Sequence, residues 1–186
     1  MYFASFISTF KHHILFQNVM KKIFLLLITV FLTLTAIYAQ TAWVDYKIDS
    51  RLSVKLPVAP KMRGDDTAIA TDKDSSIYVI TVIDFQKVAE IDSATLSTLL
   101  PQQEFADGIR TGMLDKLPGF TMGDVKIGKS KDHYSYLMDG DNATKKLKIY
   151  NYMIFLGDKG YSLTAVVPGK LGARGKDDFF ASLRSN

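Results

Sequence analysis

From residue 133 to residue 167 the chain holds three segments rich in apolar and aromatic residues, 133–138, 146–156 and 160–167. Residues 139–145, which open with Asp139-Gly140-Asp141-Asn142, separate the first two, and Gly157-Asp158-Lys159-Gly160 leads into the third. Connections this short cannot hold a crossover helix, whereas paired parallel strands need a dozen or more residues between them. The three segments are therefore predicted to be strands of an antiparallel meander, with the two Gly/Asp clusters as its turns.

Upstream, residues 43–48 place Trp43, Asp45 and Lys47 on one side and Val44, Tyr46 and Ile48 on the other, and residues 51–56 repeat the alternation with Leu52, Val54 and Leu56. They read as a hairpin turning at Asp49-Ser50. Pro57 and Pro60 end the second strand, since proline lacks the ladder donor. A polar stretch, 61–75, follows, with 67–71 read as an edge strand. Residues 77–85 are almost all β-branched or aromatic, which predicts a strand covered on both faces. Asp92 or Ser93 can cap a helix running to about residue 117, with Leu99, Ala106, Ile109, Met113 and Leu117 on one face. Pro101 predicts a kink, or a restart with Pro101 in the first turn. Pro118-Gly119 ends this helix, 121–128 reads as a further strand, and 177–184 as a short helix burying Phe179 or Phe180 with Leu183. Strands, a long helix, a meander and a short helix together predict an α+β fold, an antiparallel sheet with helices packed on it.

Residues 20–39 have a different character. Lys21 and Lys22 precede an uncharged apolar run over 23–34, and Ile37-Tyr38-Ala39 leads to Gln40. This is the pattern of a secretory signal peptide, cleaved before Gln40, with Met20 read as the start and 1–19 as an N-terminal extension. No basic stop-transfer cluster follows, so no membrane span is expected after cleavage. The protein is expected to be exported, to the periplasm or outside the cell. A lipid anchor is not expected, because bacterial lipoprotein signals end at a cysteine and the chain has none. Residues 40–186 are read as one domain; at that size a chain buries about 68–70% of its unfolded surface without needing disulfides.

The formal charge of +4 includes Lys11, Lys21 and Lys22; without these three of the 23 basic residues, 20 remain against 19 acidic ones, or +1. That balance argues against nucleic acid as a partner, since such proteins carry a basic face or stripe.

The opening strand with Ser53-Val54-Lys55-Leu56-Pro57 and Pro60, the central helix, the late strand Gly160-Tyr161-Ser162-Leu163-Thr164-Ala165 and the ending Asp178-Phe179-Phe180-Ala181-Ser182-Leu183 resemble the PsbP and Mog1 fold group, in particular its small exported bacterial members of uncharacterised function. The resemblance covers nearly all of residues 40–186. It implies an α/β sandwich and an accessory, binding or assembly role rather than chemistry. No ligand-binding residue of a characterised member matches a position in this chain, and fold alone does not transfer function.

Four groups of residues are weighed as sites. His133 is the only histidine of residues 40–186 and reads as a surface residue at a strand edge beside Asp132; without cysteine there is neither a thiol nucleophile nor a thiolate zinc site. Asp139-Gly140-Asp141-Asn142 and Asp72-Lys73-Asp74-Ser75-Ser76 echo the start of a calcium loop. Neither continues to the glycine and closing glutamate of the twelve-residue loop, so both read as turns and no metal or cofactor is expected. Residues 168–176 combine glycines with Lys170, Arg174 and Lys176 ahead of the last helix and could hold a phosphate or carboxylate through Lys170 and Arg174, but the glycine spacing is not that of a phosphate-binding loop and Asp177-Asp178 would oppose an anion, so the stretch reads first as a surface loop. Tyr134 with Tyr136, and Tyr150 with Tyr152, are spaced by two and share a strand face within each pair. If the two faces coincide on an uncovered part of the sheet, they make an aromatic platform; otherwise they pack beneath a helix. Gly108 and Gly112 are read as allowing close approach of the central helix to the sheet. The function expected is that of an exported, non-enzymatic domain binding a partner protein or small envelope ligand. The alternatives are a carboxylate-based hydrolase with a cleft the sequence does not locate, and a purely structural envelope-assembly factor.

Overall fold

The computed structural model describes residues 43–170 and 174–186, the side chain of Arg174 excepted. The chain divides into two units, Met1–Ala42 and Trp43–Asn186. The expected signal peptide and N-terminal extension, residues 1–39, fall outside the described residues.

The second unit runs β1 (Val44–Lys47), β2 (Leu52–Leu56), β3 (Lys61–Arg63), β4 (Thr67–Thr71), β5 (Ile77–Asp84), α1 (Phe85–Ala89), α2 (Ser93–Leu99), α3 (Gln103–Leu114), β6 (Thr121–Met122), β7 (Lys126–Lys129), β8 (Tyr134–Asn142), β9 (Leu147–Leu156), β10 (Lys159–Pro168), α4 (Arg174–Ala181) and β11 (Arg184–Ser185). The large sheet has the order β3-β4-β5-β10-β9-β8, with β6 and β7 both along the outer edge of β8; a small sheet has the order β1-β2-β11. Every pairing is antiparallel. This is an α+β architecture.

The meander β8-β9-β10 is present, and β9 and β10 meet at a two-residue turn whose Gly157 has φ +65°, a conformation only glycine adopts without strain. The other expected turn is displaced. Residues 139–142 continue β8, held between β9 on one side and β6 on the other, so pairing on both edges overrides their turn composition. Gly140 is required there because a Cβ would collide with the Thr121 carbonyl. The chain turns over 143–146 instead, where Asn142 Oδ1 accepts from the Lys145 N–H at 2.9 Å.

Further expectations are corrected. Strand 67–71 is not an edge, since β3 pairs beyond it. Residues 121–128 form two short strands rather than one. The predicted long helix is two, α2 and α3, preceded by α1, in which Phe85 is helical and not the end of a strand because Asp84 caps the Lys87 N–H at 3.0 Å. Asp92 caps α2 through the Thr95 N–H at 2.7 Å, as expected. Pro101 marks the restart but precedes the N-cap, Gln102, rather than lying in the first turn. Gly108 and Gly112 are exposed with no neighbour near their Cβ positions, so they bring no close approach to the sheet.

The large sheet carries a packed layer on part of each face. On one, here the hairpin face, Ala68, Ala70, Tyr78, Ile80, Ile154, Tyr161, Leu163 and Ala165 pack under Leu52, Val54 and Leu56 of β2 and Phe179 of α4. On the opposite, helix face, Tyr136, Met138, Met153 and Phe155 pack under Phe85, Leu96, Leu100 and Ala106. Asn151, 1% exposed, is a buried polar residue on the helix face; its amide donates to Ser162 Oγ at 2.7 Å and Thr164 Oγ1 at 2.8 Å. A one-residue slip of β9 would move that amide to the hairpin face among Leu163 and Ala165, so the cluster pins the register.

Candidate functional site

Successive side chains of a strand point to opposite faces, and that rule decides the fate of the four tyrosines. Tyr136 of β8 is opposite Met153 of β9, and both belong to the core beneath the helices. Tyr150 and Tyr152 alternate with Met153 and Phe155 along β9, so they stand on the hairpin face with Ile154. The two pairs therefore lie on opposite sides of the sheet, and the four-tyrosine platform does not form.

Tyr134 and Tyr136 have the packed role. Tyr136 is 0% exposed, meets Phe155 edge-on with centroids 4.7 Å apart, and donates its hydroxyl to the Leu100 carbonyl at 2.8 Å. Burial, with the neighbouring Tyr134, pushes its pKa up to about 12, so it stays a neutral donor. Tyr134 is half-buried at the margin of the same core, with the Lys129 ammonium 5.1 Å from its ring centre.

Tyr150 and Tyr152 are half-buried beside α4. Phe180 of α4 meets Tyr152 edge-on at 6.4 Å, and the Lys176 ammonium lies 4.5 Å from the centre of the Tyr150 ring while pairing with Asp177 at 2.6 Å. Beyond α4 the face is uncovered. Leu137 of β8, directly opposite Tyr152, is 47% exposed, with Lys126 opposite it on β7. Asp139, opposite Tyr150, is exposed as well. Two aromatic rings and a leucine thus form a continuous apolar strip across β8 and β9, rimmed by Lys126, Asp139 and Lys176. Cross-strand neighbours of this kind sit about 4.5–5.5 Å apart at Cβ.

Leu137 was not expected as a site residue. A signal for it exists in the sequence: Ser135, Leu137, Asp139 and Asp141 share one side of the strand, and leucine is the one apolar member of that set.

Of the basic loop, Lys170 is exposed, Arg174 begins α4, and residues 171–173 and the Arg174 side chain lie outside the described residues. Lys176, the third basic residue, is already engaged by Tyr150 and Asp177. The Asp72 carboxylate is consumed by its own turn, accepting from the Asp74 and Ser76 N–H groups at 2.9 and 2.8 Å and from the Tyr78 hydroxyl at 3.1 Å. Among the described residues no group of three or more His, Cys, Asp or Glu side chains is placed to hold a metal ion. Among them, too, no helix is long and apolar enough to cross a membrane.

No protein-family model matches the chain. No curated protein matches it either. Among solved structures it is similar to a protein of Bacteroides thetaiotaomicron VPI-5482, at 12% identity and a TM-score of 0.36, over 73% of this chain and 45% of that one. The chain thus spans less than half the length of that protein.

Proposed function

We propose that this chain is an exported, non-enzymatic binding domain of the PsbP and Mog1 fold group that engages a partner protein through the open end of the hairpin face. The observation that carries the reading is Leu137, nearly half exposed beside Tyr150 and Tyr152 within a charged rim. Apolar and aromatic centres inside a polar border are the anatomy of protein interfaces, and tyrosine is enriched at their hot spots. A protein is favoured over a small envelope ligand because a sheet face is flat, whereas small molecules take concave sites.

The test is capture from envelope extract with native protein, Leu137→Asp and Val88→Asp. Val88, 67% exposed on α1, is remote in sequence and serves as the control for a new surface charge. A partner retained by native protein and Val88→Asp but lost by Leu137→Asp, with all three unfolding at the same urea midpoint, is the expected result. Equal capture by all three would move the interface elsewhere.

A further inference from the structure

At the other end of β8, between α2 and the β7–β8 turn, lies a cleft of about 230 Å³ with an apolar floor and a basic wall. Its floor is Leu100 and Phe155, 4% and 3% exposed, together with Tyr134. Its wall is Lys129, Lys131 and His133, with hydroxyls from Ser93, Ser97 and Ser130. The turn is closed by the Ser130 N–H donating to the His133 carbonyl at 2.9 Å, and Lys129 pairs with Tyr134 across the two strands. This places the Lys129 ammonium over the Tyr134 ring at the cleft margin.

Charge at this spot departs from the average of the chain. Asp132 is the one acidic lining residue, and no ion pair among the described residues engages Lys129, Lys131 or His133. The N-terminus of α2 is not part of the anion site, because the Asp92 carboxylate already caps it, accepting from the Thr95 N–H. Two lysines that form no ion pair among the described residues, set beside buried aromatic carbon, complement a molecule with a negative head and a short apolar body. The volume sets its size: ligand pockets usually run from about 300 to 1,000 Å³, so this one takes a fragment rather than a drug-sized ligand.

We propose that this cleft binds a small organic anion, a carboxylate or phosphate head on a short apolar body, with Lys129 and Lys131 holding the head and Phe155, Leu100 and Tyr134 receiving the body. The site is separate from the strip at Leu137, so either can fail without the other.

The experiment is heteronuclear NMR of the full chain titrated with benzoate, phenyl phosphate and, as the uncharged control, benzyl alcohol. Either anion is expected to move the amide signals of residues 129–134 and the His133 ring, with affinity falling as salt is added. Benzyl alcohol is expected to bind at least about tenfold more weakly, a difference of roughly 1.4 kcal/mol. Lys129 and Lys131 are exposed, so Lys129→Ala with Lys131→Ala leaves the core intact and is expected to weaken anion binding about tenfold or more. Silence of these signals towards both anions, equal binding of benzyl alcohol, or undiminished anion binding by the folded double variant would each overturn the proposal.

Discussion

Asp49 sits in the β1–β2 turn, yet its carboxylate ties two layers together. Oδ1 accepts from the Arg51 and Leu52 N–H groups at 2.7 and 3.1 Å, and Oδ2 accepts from the Tyr161 hydroxyl of β10 at 2.6 Å. Arg51 extends the tie, donating to the Leu156 carbonyl of β9 at 2.7 Å. Burial alone would raise the Asp49 pKa, but the Tyr161 hydroxyl, the two backbone donors and the Arg51 guanidinium outweigh it and hold the carboxyl below its ordinary value of 3.8. As pH falls, the unfolded chain therefore takes up this proton first. The stability that Asp49 contributes is fully present above the ordinary value and is lost as pH drops through the depressed folded value. Asp49→Asn is expected to be less stable than native protein at neutral pH, by about 1–3 kcal/mol, with the gap narrowing in strong acid because the amide does not titrate. Urea unfolding at neutral and acidic pH checks this; a gap independent of pH would remove the ionised carboxylate from the account.

At the scale of elements, what could be read in the sequence depended on whether pairing agreed with local composition. The β1–β2 hairpin was legible from its alternation, which turns Leu52, Val54 and Leu56 to the core, and β5, β9 and β10 from apolar-rich runs that suit a sheet packed on both faces. The turn at 139–142 was misread because Gly140 and Asp141 are turn formers by composition, while their environment, strands on both edges, is a long-range property. The tyrosines failed for a related reason: spacing by two fixes a face within one strand but not which face of the sheet it shares with the next. Register between β8 and β9 supplies that, and the same register exposes Leu137. Pro101 correctly signalled a break between α2 and α3, and the restart leaves an opening for improvement. Gln102 is the N-cap of α3 but makes no side-chain capping bond; its amide donates back to the Thr98 carbonyl at 2.9 Å. Gln102→Asp should cap the free N–H groups of the first turn and raise stability by about 0.5–1 kcal/mol, read as a higher melting temperature. No gain would mean that the Thr98 bond was worth as much as the new cap.

Seen whole, the domain has a central sheet whose helix face is closed by consecutive helices and whose hairpin face is closed by segments from its two extremes. β11 pairs with β2, Arg184 opposite Ser53 and Ser185 opposite Leu52, and Asn186 adds bonds from its N–H to the Arg51 carbonyl at 2.9 Å and from its amide to the Asp49 carbonyl at 3.0 Å. Deleting residues 184–186 is expected to lower stability by on the order of 1–3 kcal/mol, since each hydrogen bond contributes about 0.5–1.5 kcal/mol net. An unchanged urea midpoint would make β11 an ornament of the fold rather than a support. The contact between Asn186 and Asp49 joins positions 137 apart in the chain. Closing so long a loop is slow compared with forming a hairpin or a helix. A ribosome that delivers the N-terminal side first therefore releases a hairpin that waits for its third strand through the synthesis of everything between, so this layer can be finished only once residues 184–186 have emerged.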